Sequence, residues 1–364
     1  MTFTKRALAA CLILIASHAA AQSGPPAGRP PLPPGAMAQI NLGKAGLLES
    51  FYSSDQFGTV QARIGQSRST IGAATVPGTP PLTYRDETSA LITPLNVLVP
   101  LADGKSYIRF GVTGTFGNGR PNPVELDTTV GRADIEYLRF PDANTMIGLG
   151  LLLESSGTDI VGSGTVDRQG HGLRFDVIRK FNDHWGVAGR AEYSWGETDL
   201  RVAAGPGVTL QHVQGDDRLY TQAEFIGQYR REDFGWIPGG WVMRPTFGIQ
   251  FQRNFVEATA DSFGVVSSGV VGPIENYGTT WAYLKMEKEV PPGGWAPKFG
   301  LGIEYEYINN LDLYTDEPVF AVGSLGVSKM LRNGTRFDFV FTRHQGLNGT
   351  RWNQSLVTAL TVPF

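Results

Sequence analysis

Four of the five histidines, a series of arginines set against carboxylates and one cysteine are the groups in this chain of 364 residues that invite chemistry. Beyond residue 21 the histidines are His171, His184, His212 and His344. His212 stands near Asp216 and Asp217, an acid–base pairing of the kind a hydrolase uses to move a proton. Nothing completes it: the sequence has no Gly-X-Ser-X-Gly elbow. A solvated loop histidine is the simpler reading, so no catalytic residue is assigned and no enzymatic activity is expected. Asp312, Asp316 and Glu317 could hold a cation only loosely, and they read as an ordinary acidic loop with no metal. The Gly-rich run at 162–172 follows no βαβ pattern, which removes a nucleotide site. No cofactor is expected. With a net charge of −3 the chain has no polybasic field for nucleic acid.

The ionic groups fall into a ladder instead. Arg174, Arg190, Arg230 and Arg244 are expected on four consecutive strands, facing inward. Their acidic counterparts are Asp176, Glu192, Glu224, Glu304, Glu306 and Asp338. Such charges either steer ionic solutes along an open pore or pair with one another and fill a narrow lumen.

Strands must position them, because alternation dominates the pattern. Phe299, Leu301, Ile303, Tyr305 and Tyr307 alternate with Gly300, Gly302, Glu304 and Glu306, the period-2 signature of a strand with two unlike faces. Ile147, Leu149, Leu151 and Leu153 make a second apolar face; Leu173, Phe175 and Val177 a third; Phe337, Phe339 and Phe341 a fourth. Turn-like connections at 141–144, 182–184, 291–294 and 332–335 alternate with longer polar stretches at 117–130, 155–170, 202–217, 257–276 and 309–318. Short turns on one side and long loops on the other are what transmembrane β-barrels show. About twelve strands fit between Ser106 and the end, each near the 9–11 residues of a tilted span. Segments 59–70 and 89–101 could raise the total to fourteen, and an even number is expected, with both ends on one side. All seven tryptophans are expected at strand ends, where indoles prefer the membrane–water boundary.

The ends agree with export. Lys5 and Arg6, the apolar run from Ala7 to Ala16 and the small residues before Gln22 read as a secretory signal at 1–21. A Pro-rich linker is expected at 22–36 and an N-terminal segment at 37–105, with an amphipathic helix at 37–52 or two extra strands; the barrel is placed at 106–364. Cys11 is the only cysteine and lies within the signal. At the other end Leu356, Thr358, Leu360, Val362 and Phe364 share one strand face. Leu360, Val362 and the terminal aromatic Phe364 resemble the assembly signal of Gram-negative outer-membrane barrels. Expected partners are therefore outer-membrane lipid, lipopolysaccharide and the barrel assembly machinery.

The run IGLGLLLES from Ile147, the loop GSGTVDRQGHG and the stretch LRFDVIRKFNDHWGVAGRAEYSWGETDL to Leu200 together resemble the autotransporter β-barrel domain. That resemblance implies a barrel of roughly twelve strands ending in Phe, a Gram-negative outer-membrane location and a lumen helix corresponding to 37–52. It covers about Ser106 to Phe364. No long repetitive passenger precedes it, so the resemblance is to a solitary barrel of this type. The expected role is structural or a channel for small hydrophilic solutes. A fourteen-strand porin-like transporter, a surface-loop adhesin and, last, a rim-located hydrolase are the alternatives.

Overall fold

Alternation becomes strands that pair in chain order. The computed structural model describes residues 86–119, 125–142, 144–269, 271–289, 293–311 and 317–363. Readings that fall on residues 1–85, on Asp312 and Asp316, and on Phe364 lie outside these. The strands are β1 (Asp86–Pro100), β2 (Ser106–Gly119), β3 (Leu126–Asp142), β4 (Thr145–Ile160), β5 (Gly164–Lys180), β6 (Trp185–Gly205), β7 (Val208–Gly227) and β8 (Trp241–Val256). After the two-residue β9 (Thr259–Ala260) and β10 (Val266–Ser267) come β11 (Ile274–Lys288), β12 (Trp295–Asn309), β13 (Val319–Met330), β14 (Arg336–Gly346) and β15 (Arg351–Pro363).

All but β9 and β10 close into one barrel, while those two form a separate small hairpin. Neighbours are antiparallel all round except at one seam, where β1 runs parallel to β15 from Asp86↔Arg351 to Leu98↔Pro363. The barrel formed by the described residues thus has 13 strands, between the expected twelve and fourteen. The segment expected at 89–101 enters the wall as β1. An even count was expected, but an odd barrel closes through one parallel pair, which leaves Asp86 and Pro363 at opposite rims. Parallel pairing is slightly weaker per residue, and Pro94 and Pro363 bring no N–H to the seam strands. Closure still removes any free edge, so the backbone hydrogen bonds are made within the wall.

The two faces separate cleanly. Leu153 (62 % exposed), Leu301 (71 %) and Leu325 (68 %) stand on the exterior with Leu149, Phe175, Ile303 and Phe341. An apolar exterior of this kind is unstable against water and stable against hydrocarbon. Many inward positions are polar or glycine, others are large and apolar near the short-turn rim, and most are buried.

Strand ends depart from the expected loops. The polar stretches 155–170 and 202–217 continue as paired strand and turn only at 161–163 and 206–207. β6 reaches 21 residues and β7 20, about twice what a tilted span requires. Inter-strand hydrogen bonds are made by backbone, so polar side chains do not end a strand when both faces meet water. On the other rim the connection 228–240 is longer than its neighbours. Its Ile237 is fully buried against Met243 and Met286, whose strand positions alternate with inward Arg244 and Lys285. The connection therefore folds back over the barrel exterior. Its Tyr229 stacks on His184 at 5.0 Å, and Phe234 and Trp236 remain exposed.

Candidate functional site in the lumen

The inner wall divides into two unlike halves. Along β1–β7, near the short-turn rim, Leu98, Tyr107, Leu138, Phe140, Met146, Ile178, Ala188 and Ile226 form an apolar floor. Next to it on these strands Arg109 contacts Asp134 and donates to Glu136 at 2.8 Å. Arg174 donates to Asp176 at 2.7 Å, Arg190 to the same carboxylate at 3.0 Å, and Arg132 reaches from β3 to Glu192 on β6 at 2.5 Å. Four guanidiniums (Arg109, Arg132, Arg174, Arg190) meet four carboxylates (Asp134, Glu136, Asp176, Glu192), so the group carries no net charge. Toward the far rim Arg168 pairs with Glu154 at 2.9 Å and Arg218 with Asp216 at 2.9 Å, again in balance. Charges this deeply buried persist only when matched, since an unpaired one costs several kcal/mol (about 3–5).

Along β8 and β11–β15 the wall opens. Gly300, Gly302 and Gly326 occupy inward positions, and a recess lies there between Tyr283, Lys285, Glu287, Lys298, Ser324, Thr342 and His344. Ion pairs line it: Lys298 and Arg336 share Asp338 at 2.5 Å and 2.8 Å, Arg244 meets Glu287 at 3.0 Å and Arg351 meets Glu306 at 2.7 Å. The Tyr283 hydroxyl donates to Glu304 at 3.0 Å.

Two turn groups outside the wall hold displaced carboxylates. Glu317, in the connection 310–318, accepts the backbone N–H of Gly349 at 2.9 Å, Thr350 at 3.0 Å and Arg351 at 2.7 Å, and it bonds Asn348 and the Thr350 hydroxyl too. Burial raises its pKa, but the Thr350 hydroxyl and the N–H groups of Asn348, Arg351 and Gly349 outweigh it, and the net shift is downward. In the turn 101–105 the carboxylate of Asp103 is also held low, first by the Ser106 hydroxyl and then by the Lys105 N–H.

Of the residues expected in the ladder, Arg174, Arg190, Arg244, Glu192, Glu224, Glu304 and Glu306 face inward and are buried, as do Asp176 and, in part, Asp338. Arg230 is a correction. It lies in the connection 228–240 rather than on a strand, and it donates to Glu289 at 2.9 Å with both side chains about half exposed. The four arginines are accordingly not on four consecutive strands. His212 is also corrected: it lies in β7, inside a hairpin, with Nε2 against Thr259 O at 3.0 Å and Thr259 Oγ1 at 2.9 Å. Asp216 is engaged by Arg218, and Asp217 accepts from Tyr193 at 3.1 Å, so no acid–base pair with His212 forms. Trp281 is a further departure, because it points into the barrel and is 3 % exposed instead of sitting at the membrane boundary. Trp185, stacked on Phe225 at 4.5 Å, and Trp295, under Lys329 at 4.9 Å, do lie at strand ends. Leu360 and Val362 fall in β15, on the face that includes exposed Leu356. Sequence reading passed over Arg109, Arg132, Arg168 and Arg218, although Arg109 between Ile108 and Phe110 carries the same alternation signal. Among the described residues no cluster of His, Cys, Asp and Glu could hold a metal ion.

No protein-family description matches this sequence, and no curated protein does. Among solved structures the chain is similar to the β domain of the Bordetella autotransporter BrkA, with a TM-score of 0.51 at 14% identity, covering 64% of this chain and 88% of that one. It also matches the translocator domain of the autotransporter NalP from Neisseria meningitidis, with a TM-score of 0.48 at 13% identity, covering 80% and 92%. The chain has the autotransporter type of outer-membrane barrel fold, and at these identities the likeness is one of fold.

Proposed function

We propose that this barrel is a channel of a Gram-negative outer membrane, passing small hydrophilic solutes through a constricted lumen without any enzymatic step. The asymmetry of the inner wall carries the reading. One half is filled by an apolar floor and balanced ion pairs, and the other holds a polar recess beside the inward Gly300, Gly302 and Gly326. A barrel built only as a wall has no need of a polar recess on one side, whereas a narrow path for solute does. The apolar exterior supports lipid and lipopolysaccharide as its surroundings, and the alternating terminal strand supports insertion by the barrel assembly machinery. Against catalysis stand the engagement of His212 by Thr259 and of Asp216 by Arg218. Refolded protein in a planar bilayer should give unitary current steps. A bilayer that stays silent at full protein insertion overturns the channel and leaves a purely structural barrel.

A further inference from the structure

The channel reading, on which this inference rests, leaves the chemistry of the solute open. Two aromatic rings on β11 narrow it. Trp281 occupies the space that a side chain on Gly248 would need: a Cβ there would come within 2.1 Å of the indole Cε2. Tyr283 does the same over Gly302 on the opposite neighbour, at 2.1 Å from its ring Cδ1. Each ring can lean onto the wall only because its partner strand carries glycine at that height. Their centroids are 6.1 Å apart with planes 23° from parallel, a stacked pair on the inner wall in which Trp281 is buried and Tyr283 half-buried.

Hydrogen-bonding groups without a protein partner are set around the same part of the wall. They are Trp281 Nε1, Thr246 Oγ1, Gln250 Oε1, both amide atoms of Asn353, and His344 Nδ1. The last is 3.3 Å from Glu304 without hydrogen-bond alignment. All five side chains are more than nine-tenths buried and sit at inward strand positions. Register ties them together: Thr246 is opposite Tyr283, Asn353 is opposite His344, and Tyr283 and His344 both line the recess. Buried polar atoms of this kind are costly until something meets them.

The five side chains supply both donors and acceptors, and none of them is a carboxylate, lysine or arginine. An anion would use only the donors, and a cation only the acceptors. Of the fixed charges nearby, Glu287, Lys298 and Glu306 have ionic partners, and Glu304 accepts from the Tyr283 hydroxyl. Hydroxyl groups both donate and accept, and the C–H face of a sugar ring packs on a flat aromatic surface. We propose that the inner wall of β8, β11, β14 and β15 is a binding track for neutral polyhydroxylated solutes of about hexose size.

Three six-carbon probes that differ in charge separate the possibilities: glucose, gluconate and glucosamine. The full mature chain is inserted in planar bilayers, and each probe is added at constant ionic strength while current block is recorded. Glucose should block at a concentration several-fold below the other two. Trp281→Phe, which keeps a ring and loses the N–H, should raise the half-blocking concentration of glucose about tenfold, the scale of one lost hydrogen bond. Equal half-blocking concentrations for the three probes, or no block by glucose in a conducting protein, overturn the track while leaving the channel standing. Absence of any current overturns the channel itself.

Discussion

A guanidinium at position 301 should meet hydrocarbon. Leu301 is the most exposed large hydrophobic of β12's outward face, 71 % exposed, and it pairs with Leu284 on β11 and Gly323 on β13. It lies six residues from Trp295, which marks the short-turn end of the strand. At about 3.4 Å per residue and a tilt of about 40°, those six residues climb about 15 Å, close to the middle of an apolar band about 25 Å tall. At that depth Leu301→Arg should cost about 2–4 kcal/mol, a shift of about 30- to 700-fold in the folding equilibrium. The same change on a water-facing sheet would fall within about 0.5 kcal/mol. The assay is reversible urea unfolding in phosphocholine vesicles, followed by tryptophan emission. A cost below about 0.5 kcal/mol would show that position 301 does not face lipid at mid-depth, and the assignment of inner and outer faces would be wrong throughout.

Three more outcomes follow from the geometry. Asp176→Asn removes the carboxylate that bonds both Arg174 and Arg190; it should destabilise the barrel by about 3–5 kcal/mol, and a cycle with Arg190→Gln should show coupling above about 1 kcal/mol. Independent, additive effects would mean that the pair is not linked. Glu317 has a lowered folded-state pKa, so its clamp on residues 348–351 is complete above the unfolded carboxylate value and is lost as pH falls through the folded one. A nitroxide at position 348 should become mobile on acidification, Glu317→Gln should free it at neutral pH, and unchanged spectra in both would remove the clamp. A variant that keeps Trp236 as its sole tryptophan should be quenched by lipids brominated near the headgroup, because the connection 228–240 lies over the exterior beside Met243 and Met286. Quenching only by aqueous iodide would place that connection in water.

Local pattern was enough for the faces. The alternation at Phe299–Tyr307 and Ile147–Leu153 appears as outward apolar and inward polar positions because strand side chains alternate whatever the partner strand is. Most strands, and the inward direction of Arg174, Arg190, Glu304 and Glu306, were legible for the same reason. Polarity misled at 202–217, where a hairpin wetted on both faces looks like a loop. Arg230 was misplaced because nothing local distinguishes a strand arginine from one in the folded-back connection after β7. The parallel seam could not be read at all, since β1 meets a strand about 265 residues away and the pairing is settled by how many strands close the ring. The aromatic half of the lumen also depended on tertiary structure. Trp281 turns inward over Gly248, and Asn353 comes beside His344, only once β8, β11, β14 and β15 are in register. Which side chains share a face is thus a property of the single strand and readable locally, while which faces confront one another across the lumen is a property of the whole ring and follows only from closure.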